Sequence, residues 1–131
     1  MTIPKLEKIL YVEDEPDIQA ITKLALENIG GFNLEICNSG IEALEKGPQF
    51  GPQLVLMDVM MPGMDGPTTM QELRKLEAFK NIPIIFMTAK VQPQEIAQFK
   101  SLGAADVIPK PFDPMTLSDS IQAIWSLLFI T

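Results

Sequence analysis

Leu54-Val55-Leu56-Met57-Asp58 is an unbroken apolar run closed by an acid. Without polar alternation, the run predicts a strand buried on both faces. Such strands belong to parallel sheets covered by helices on each side. Working outward, the pattern recurs. Ile9-Leu10-Tyr11-Val12 ends in Glu13-Asp14, and Ile84-Ile85-Phe86-Met87 ends in Thr88-Ala89. Ala105 to Ile108 reads as a further strand, ending in Pro109-Lys110-Pro111. Phe32, Leu34 and Ile36 alternate with Asn33, Glu35 and Cys37, so this segment has one wet face and belongs at an edge.

Helical patterns fill the intervals. Pro16 opens a helix with Ile18, Ile21, Ala25 and Ile29 expected on its buried face and Gly30-Gly31 as its stop. Ser39 can cap a short helix around Ile41 to Glu45. The turn from Met61 to Gly66 leads to a helix starting at Pro67, with Met70, Leu73 and Leu76 inward. Pro93 starts a helix through Ile96 and Phe99 that Gly103 closes. Asp113 is a candidate N-cap with Pro114 at the first helical position. Leu117, Ile121, Ile124 and Leu128 form the expected core stripe of the last helix.

Strands alternating with helices predict an α/β fold with a doubly wound, five-stranded parallel sheet. Pro109 removes a ladder donor, which places the last strand at an edge. With the second strand at the other edge, the order is 2-1-3-4-5, the flavodoxin-like arrangement.

The 131 residues are expected to form one domain spanning 1–131, and 47% hydrophobic with 21% charged residues is an ordinary globular balance. No apolar run approaches the ~20 residues that span a bilayer, so no membrane contact is expected. A lone cysteine, Cys37, excludes an intramolecular disulfide and a Cys-cluster zinc site, and predicts a cytoplasmic protein. The absence of His excludes His-dependent triads, His-ligated zinc and a phosphohistidine carrier. With 10 basic against 17 acidic residues, net −7, direct nucleic-acid binding is not expected.

In open α/β sheets, ligands bind beyond the carboxyl ends of the strands. The residues that end the strands are Glu13-Asp14, Asp58, Thr88 and Lys110. Crowded carboxylates raise one another's pKa values unless a cation neutralises them. Oxygen-only ligands in a small open site suit Mg²⁺ with phosphate partners. A carboxylate beside Mg²⁺ can attack phosphorus, and the transferred group then needs charge and donors on its outer oxygens. Lys110 supplies charge, the Thr88 hydroxyl a donor, and Ala89 leaves the approach open. Each residue alone has an ordinary explanation as a cap, turn or surface group. Asp58 is harder to explain that way, because an acid ending a buried strand is costly without a partner.

The chain resembles the receiver domains of bacterial two-component response regulators, chemotaxis receivers included. The resemblance rests on Ile9-Leu10-Tyr11-Val12-Glu13-Asp14-Glu15-Pro16, on Asp58 with Met61-Pro62-Gly63-Met64-Asp65-Gly66, on Thr88-Ala89 and on Lys110-Pro111-Phe112. It implies that Asp58 is the phosphoacceptor and that Mg²⁺ is held by Asp14, by Asp58, by Glu13 through water and by the backbone carbonyl of Met60. It implies that Thr88 is the switch hydroxyl, that Lys110 binds the phosphoryl oxygens, and that Lys110-Pro111 is a cis peptide. Many receivers carry Tyr or Phe three residues before this lysine. Val107 stands there instead, so any movement is expected to spread through the fourth helix and not through a rotating ring.

The reading is a stand-alone receiver, phosphorylated by a sensor histidine kinase or phosphotransfer protein and turning over no separate substrate. Its output is a changed protein-binding surface. The expected partner is a downstream protein target or a second copy, held by the fourth and fifth helices with Trp125 and Phe129 as candidate anchors. Two other readings are an Mg²⁺-dependent aspartate-nucleophile phosphohydrolase and a phosphate-independent adaptor. The hydrolases usually place a second acid where Met60 stands, and the intact acid set argues against the adaptor.

Overall fold

The computed structural model describes residues 2–130, so residues 1 and 131, the limits of the expected domain, lie outside the described residues. Five strands, β1 (Lys8–Val12), β2 (Asn33–Cys37), β3 (Leu54–Asp58), β4 (Ile84–Thr88) and β5 (Asp106–Pro109), form one sheet. Every neighbouring pair is parallel, in the expected order β2-β1-β3-β4-β5. Between them run α1 (Pro16–Lys23), α2 (Gly40–Phe50), α3 (Gly66–Arg74), α4 (Pro93–Leu102) and α5 (Leu117–Leu127). Among the described residues, no helix is long and apolar enough to cross a membrane.

The unbroken apolar runs feed two cores, one on each face of the sheet. Ile9, Tyr11, Leu54, Leu56, Ile85 and Met87 face Ala25, Leu26, Leu117, Ile121 and Trp125. Their neighbours Leu10, Val12, Val55, Met57, Ile84 and Phe86 face Ala43, Met70, Leu73 and Phe79. Alternate residues point to opposite faces, and both faces are dry. Each such side chain contributes roughly 1.5–3 kcal/mol on burial.

Several helix faces differ from expectation. On α1 and the turn that continues it to Ile29, the buried residues are Thr22, Ala25 and Leu26, whereas Ile21 and Ile29 are 46% and 44% exposed. Thr22 turns inward because its hydroxyl lies 3.0 Å from the buried Tyr11 hydroxyl, which needs a partner. From Leu24 to Ile29 the helix widens to π geometry, with Gly30 N–H donating to Ala25 O at 3.0 Å. That looser turn swings Leu26 in and Ile29 out.

Ser39 caps α2 as expected, its Oγ accepting from Glu42 N at 3.1 Å, but the helix runs on to Phe50. Gly47 permits this. A Cβ there would fall 2.7 Å from the Phe79 ring, so only glycine lets the helix lie on Phe79. Lys8 Nζ donates to Phe50 O at 3.0 Å and ties off the far end. The start of α2 also covers the end of β2. Cys37, expected on the wet face, is therefore buried beside Leu10, Val12 and Ala43, and burial pushes its thiol up to about 12.

Past α3, Leu76 is only half-buried. A 3₁₀ turn at Glu77–Phe79, unforeseen in the sequence, carries Phe79 into the core. The Arg74 guanidinium fastens that loop by donating to Phe79 O at 2.7 Å and Ile82 O at 2.6 Å.

Asp113 does not cap α5. Its carboxylate accepts from Met115 N at 2.9 Å in a separate turn, and the helix begins at Leu117. The core stripe of α5 is Leu117, Ile121 and Trp125, while Leu128 lies past the helix end and is 41% exposed. Trp125 Nε1 donates to Pro4 O at 2.7 Å, and Phe129 packs against the indole with centroids 4.9 Å apart. The aromatic pair is thus part of the core margin and not an exposed anchor.

Trp125→Ala should lower stability by about 3 kcal/mol or more, from lost packing and an orphaned carbonyl. Leu128→Ala should stay within about 0.5 kcal/mol of wild type. Urea denaturation of both variants checks the assignment; equal losses would contradict it.

Candidate functional site

Parallel strands send their carboxyl ends the same way, and backbone hydrogen bonds continue the ladders past them. Glu13 N donates to Cys37 O at 3.0 Å, Val59 N to Met87 O at 3.1 Å, and Lys110 N to Thr88 O at 2.9 Å. These bonds hold the strand-terminating residues in register. Asp58, Glu13 and Thr88 are all buried.

The five expected side chains meet at this end of the sheet. Carboxylate oxygens of Glu13, Asp14 and Asp58 lie within 4.8 Å of one another. Lys110 Nζ donates to Glu13 Oε1 and to Asp58 Oδ1, both at 2.9 Å. The Thr88 Oγ1 accepts from Lys90 N at 3.0 Å, which leaves its own proton to donate elsewhere. Met60 is 69% exposed. Lys110-Pro111 is cis. Val107 is half-buried against the second core.

Supporting residues went unnoticed in the sequence. Gln19 Nε2 donates to the Glu13 carbonyl and to Asn38 Oδ1, fixing the turn that presents the acids. Gly66 lets the loop after β3 fold back: a Cβ there would sit 2.6 Å from Asp58 O. The Gly66 in the Met61–Gly66 turn was visible, but its close approach was not. Nothing near Gln19 in the chain marks it.

Burial raises the Glu13 pKa, and the neighbouring Asp58 adds to this, outweighing the Lys110 hydrogen bond that opposes it. For Lys110, burial acts to lower the pKa, but the bonds to Asp58 and Glu13 prevail and the ammonium is held above its ordinary value. Three carboxylates against one ammonium leave an excess of two negative charges. Hard oxygen donors with a double negative excess fit a small dication such as Mg²⁺.

This arrangement is matched elsewhere. A family model described as the response regulator receiver domain covers residues 9–122. The chain is 37% identical over 119 residues to the transcriptional regulatory protein CpxR homolog of Haemophilus influenzae, covering 91% of this chain and 50% of that protein. It is 32% identical over 119 residues to the DNA-binding dual master transcriptional regulator RpaA of Synechocystis, covering 91% and 49%. It thus spans about half the length of these curated relatives. Among solved structures, the chemotaxis response regulator CheY4 of Vibrio cholerae superposes with a TM-score of 0.84 at 29% identity, covering 92% of this chain and 99% of that one. The receiver domain of the Pseudomonas aeruginosa sensor histidine kinase PA1611, with a magnesium ion in its active-site cleft, gives 0.80 at 27%, covering 93% and 99%. The chain belongs to the response-regulator receiver-domain family of two-component signal transduction.

A folded-state pKa raised at Glu13 means that the folded protein holds this proton more tightly than the unfolded chain. The resulting stability is present below the ordinary value of 4.5 and is lost as pH rises through the raised value. In chelator, the stability difference between wild type and Glu13→Gln should therefore move against wild type as pH climbs above 4.5. Denaturant titrations across that window check it; a pH-independent difference would contradict the shift.

Proposed function

We propose that Asp58 is the phosphoacceptor of this receiver, taking its phosphoryl group from the phosphohistidine of a sensor histidine kinase or phosphotransfer protein. The observation that carries the reading is the Lys110 ammonium on Asp58 Oδ1, inside a cluster of acids. Asp14, Asp58, the Met60 carbonyl and Glu13 through water would hold Mg²⁺. When bound, the ion supplies the positive charge that lets a carboxylate face a phosphoryl group.

A free Asp58 oxygen attacks phosphorus, the phosphorus–nitrogen bond to the donor imidazole breaks, and its electron pair returns to the ring. Lys110 then stays with the outer phosphoryl oxygens, where its charge is worth most in a water-poor site. Thr88 donates its free proton to another of those oxygens. The Lys90 amide bonded to Thr88 Oγ1 follows, and with it the loop leading to α4.

In this reading residues 1–131 are one receiver domain acting in the cytoplasm, without turnover of a separate substrate. Output passes to a downstream protein or a second copy through the α4–β5–α5 face, with Trp125 excluded as an anchor by its burial. The net charge of −7 makes the chain a poor nucleic-acid surface, so DNA contact is not assigned to it.

Acetyl phosphate with Mg²⁺ should add one phosphoryl group by intact mass, and Asp58→Asn should abolish it; undiminished labelling of that variant would sink the assignment. Mg²⁺ binds only the folded site and should stabilise by about 2.7 kcal/mol at about 100-fold excess over Kd. Asp14→Asn should remove most of that gain in a thermal melt, and a melt insensitive to Mg²⁺ in wild type would refute the ion site.

A further inference from the structure

A groove of about 570 Å³ lies at the opposite end of the sheet from the acids, walled in part by residues that precede strands, Pro4 before β1 and Pro83 before β4. Its size falls within the roughly 300–1,000 Å³ range of small-ligand sites. Trp125, Leu128 and Phe129, at and past the end of α5, form its apolar side. Arg74 and Lys80 supply its charge, and among the described residues no acid lines it. In a chain of net charge −7 this is a concavity of the opposite sign. Arg74 is its unusual member. The Nη1 atom donates to Phe79 O at 2.7 Å and to Ile82 O at 2.6 Å, which fixes the plane of the guanidinium. Among the described residues no carboxylate pairs with Arg74 or Lys80, and no acceptor meets Arg74 Nε or Nη2. No buried side-chain nitrogen goes without a partner, so that edge is open to solvent. Burial of the half-buried guanidinium works against its charge, and an anion on the open edge would offset this.

We propose that this groove binds a small aromatic carboxylate, with the carboxylate on the Nε–Nη2 edge of Arg74 and the ring against the Trp125–Phe129 pair. The chemistry of the walls selects this occupant. Two N–H groups in one plane match the two oxygens of a carboxylate, and the guanidinium is already held in place by its two carbonyl bonds. Lys80 adds a second positive charge at the rim. Trp125 and Phe129, with ring centroids 4.9 Å apart, offer ring surface beside Pro83 and Leu128. A flat, rigid ring fills such a wall with little conformational entropy to lose. A small inorganic anion has no use for the rings, and a neutral aromatic has no use for the guanidinium. The site does not involve Asp58, and the acceptor assignment stands or falls separately.

The test titrates the isotope-labelled full chain with naphthoate, its neutral isostere naphthamide, and acetate, following amide and indole N–H signals by NMR. Trp125 is the only tryptophan, so its indole N–H gives one signal at the groove. Naphthoate should shift that signal and the Asn81 amide saturably. It should bind about tenfold more tightly than naphthamide, the lower end of what a hydrogen bond to a charged group contributes. Acetate should be too weak to saturate. Lys80→Glu, at an exposed position where folding tolerates it, should weaken naphthoate about fivefold and leave naphthamide unchanged. Arg74→Lys keeps the charge and loses the fork, so the advantage of naphthoate over naphthamide should fall towards one. Arg74 also fastens a loop, so Lys80→Glu decides the matter if Arg74→Lys does not fold. Equal affinities for naphthoate and naphthamide in wild type overturn the proposal. So do shifts confined to residues around Asp58, an advantage that survives Lys80→Glu undiminished, or signals unmoved by millimolar naphthoate.

Discussion

The Lys110 ammonium joins Glu13 and Asp58, which lie 97 and 52 residues away in the chain. Both carboxylates are buried, and a buried charge whose partner is removed is strongly destabilising. The sheet order is what makes the contact reachable. β1 and β3 lie side by side, with Val12 opposite Met57, so their terminal acids are neighbours. β5 is at the edge, with β4 between it and β3. A side chain from β5 must therefore cross the end of β4 to reach both acids. Lysine has the length, and β4 ends in Thr88-Ala89, small residues that leave the path clear.

The same constraint accounts for the dryness of the strands below. Apart from Lys8 at the amino end of β1, charge sits at or just past the carboxyl ends, and the interiors of β1, β3 and β4 are dry on both faces. One ammonium does not balance three acids; burial above all, with Asp58 beside it, raises the proton affinity of Glu13. The pocket is thus an incomplete charge set, with three acids against one ammonium.

How far this was legible in the sequence depended on whether the deciding partner was local. Strands buried on both faces announce themselves by lack of alternation, and each ends at its polar residue. The sheet order and the set Glu13, Asp14, Asp58, Thr88 and Lys110 followed from that. Helix faces were less readable. Thr22 of α1 points inward because of Tyr11 on another element, and the π turn at Leu24–Ile29 shifts the phase after it. Trp125 is core because its indole N–H meets the carbonyl of Pro4, 121 residues away. Phe79 reaches the core through a 3₁₀ turn that Arg74 holds by backbone carbonyls. In each case tertiary contact overrode a periodic pattern that looked sufficient.

Val107, three residues before Lys110, is half-buried against the second core. Valine cannot swing between buried and exposed rotamers as a large ring does. The ring that links β4 to the helix layer here is Phe99, carried by α4 itself and meeting Phe86 edge-on at 5.4 Å, with Val107 packed into the same core. No residue of α4 is fully buried. Lys100 of α4 also pairs with Asp106 of β5 at 3.7 Å, a largely exposed contact worth about 0–1 kcal/mol. The helix begins at Pro93, a few residues after the Lys90 amide that rests on Thr88. Elements with little buried apolar contact open at the low end of the stability range. Of the five helices, α4 is thus the one with no buried residue, and the ring that packs it on β4 is its own Phe99.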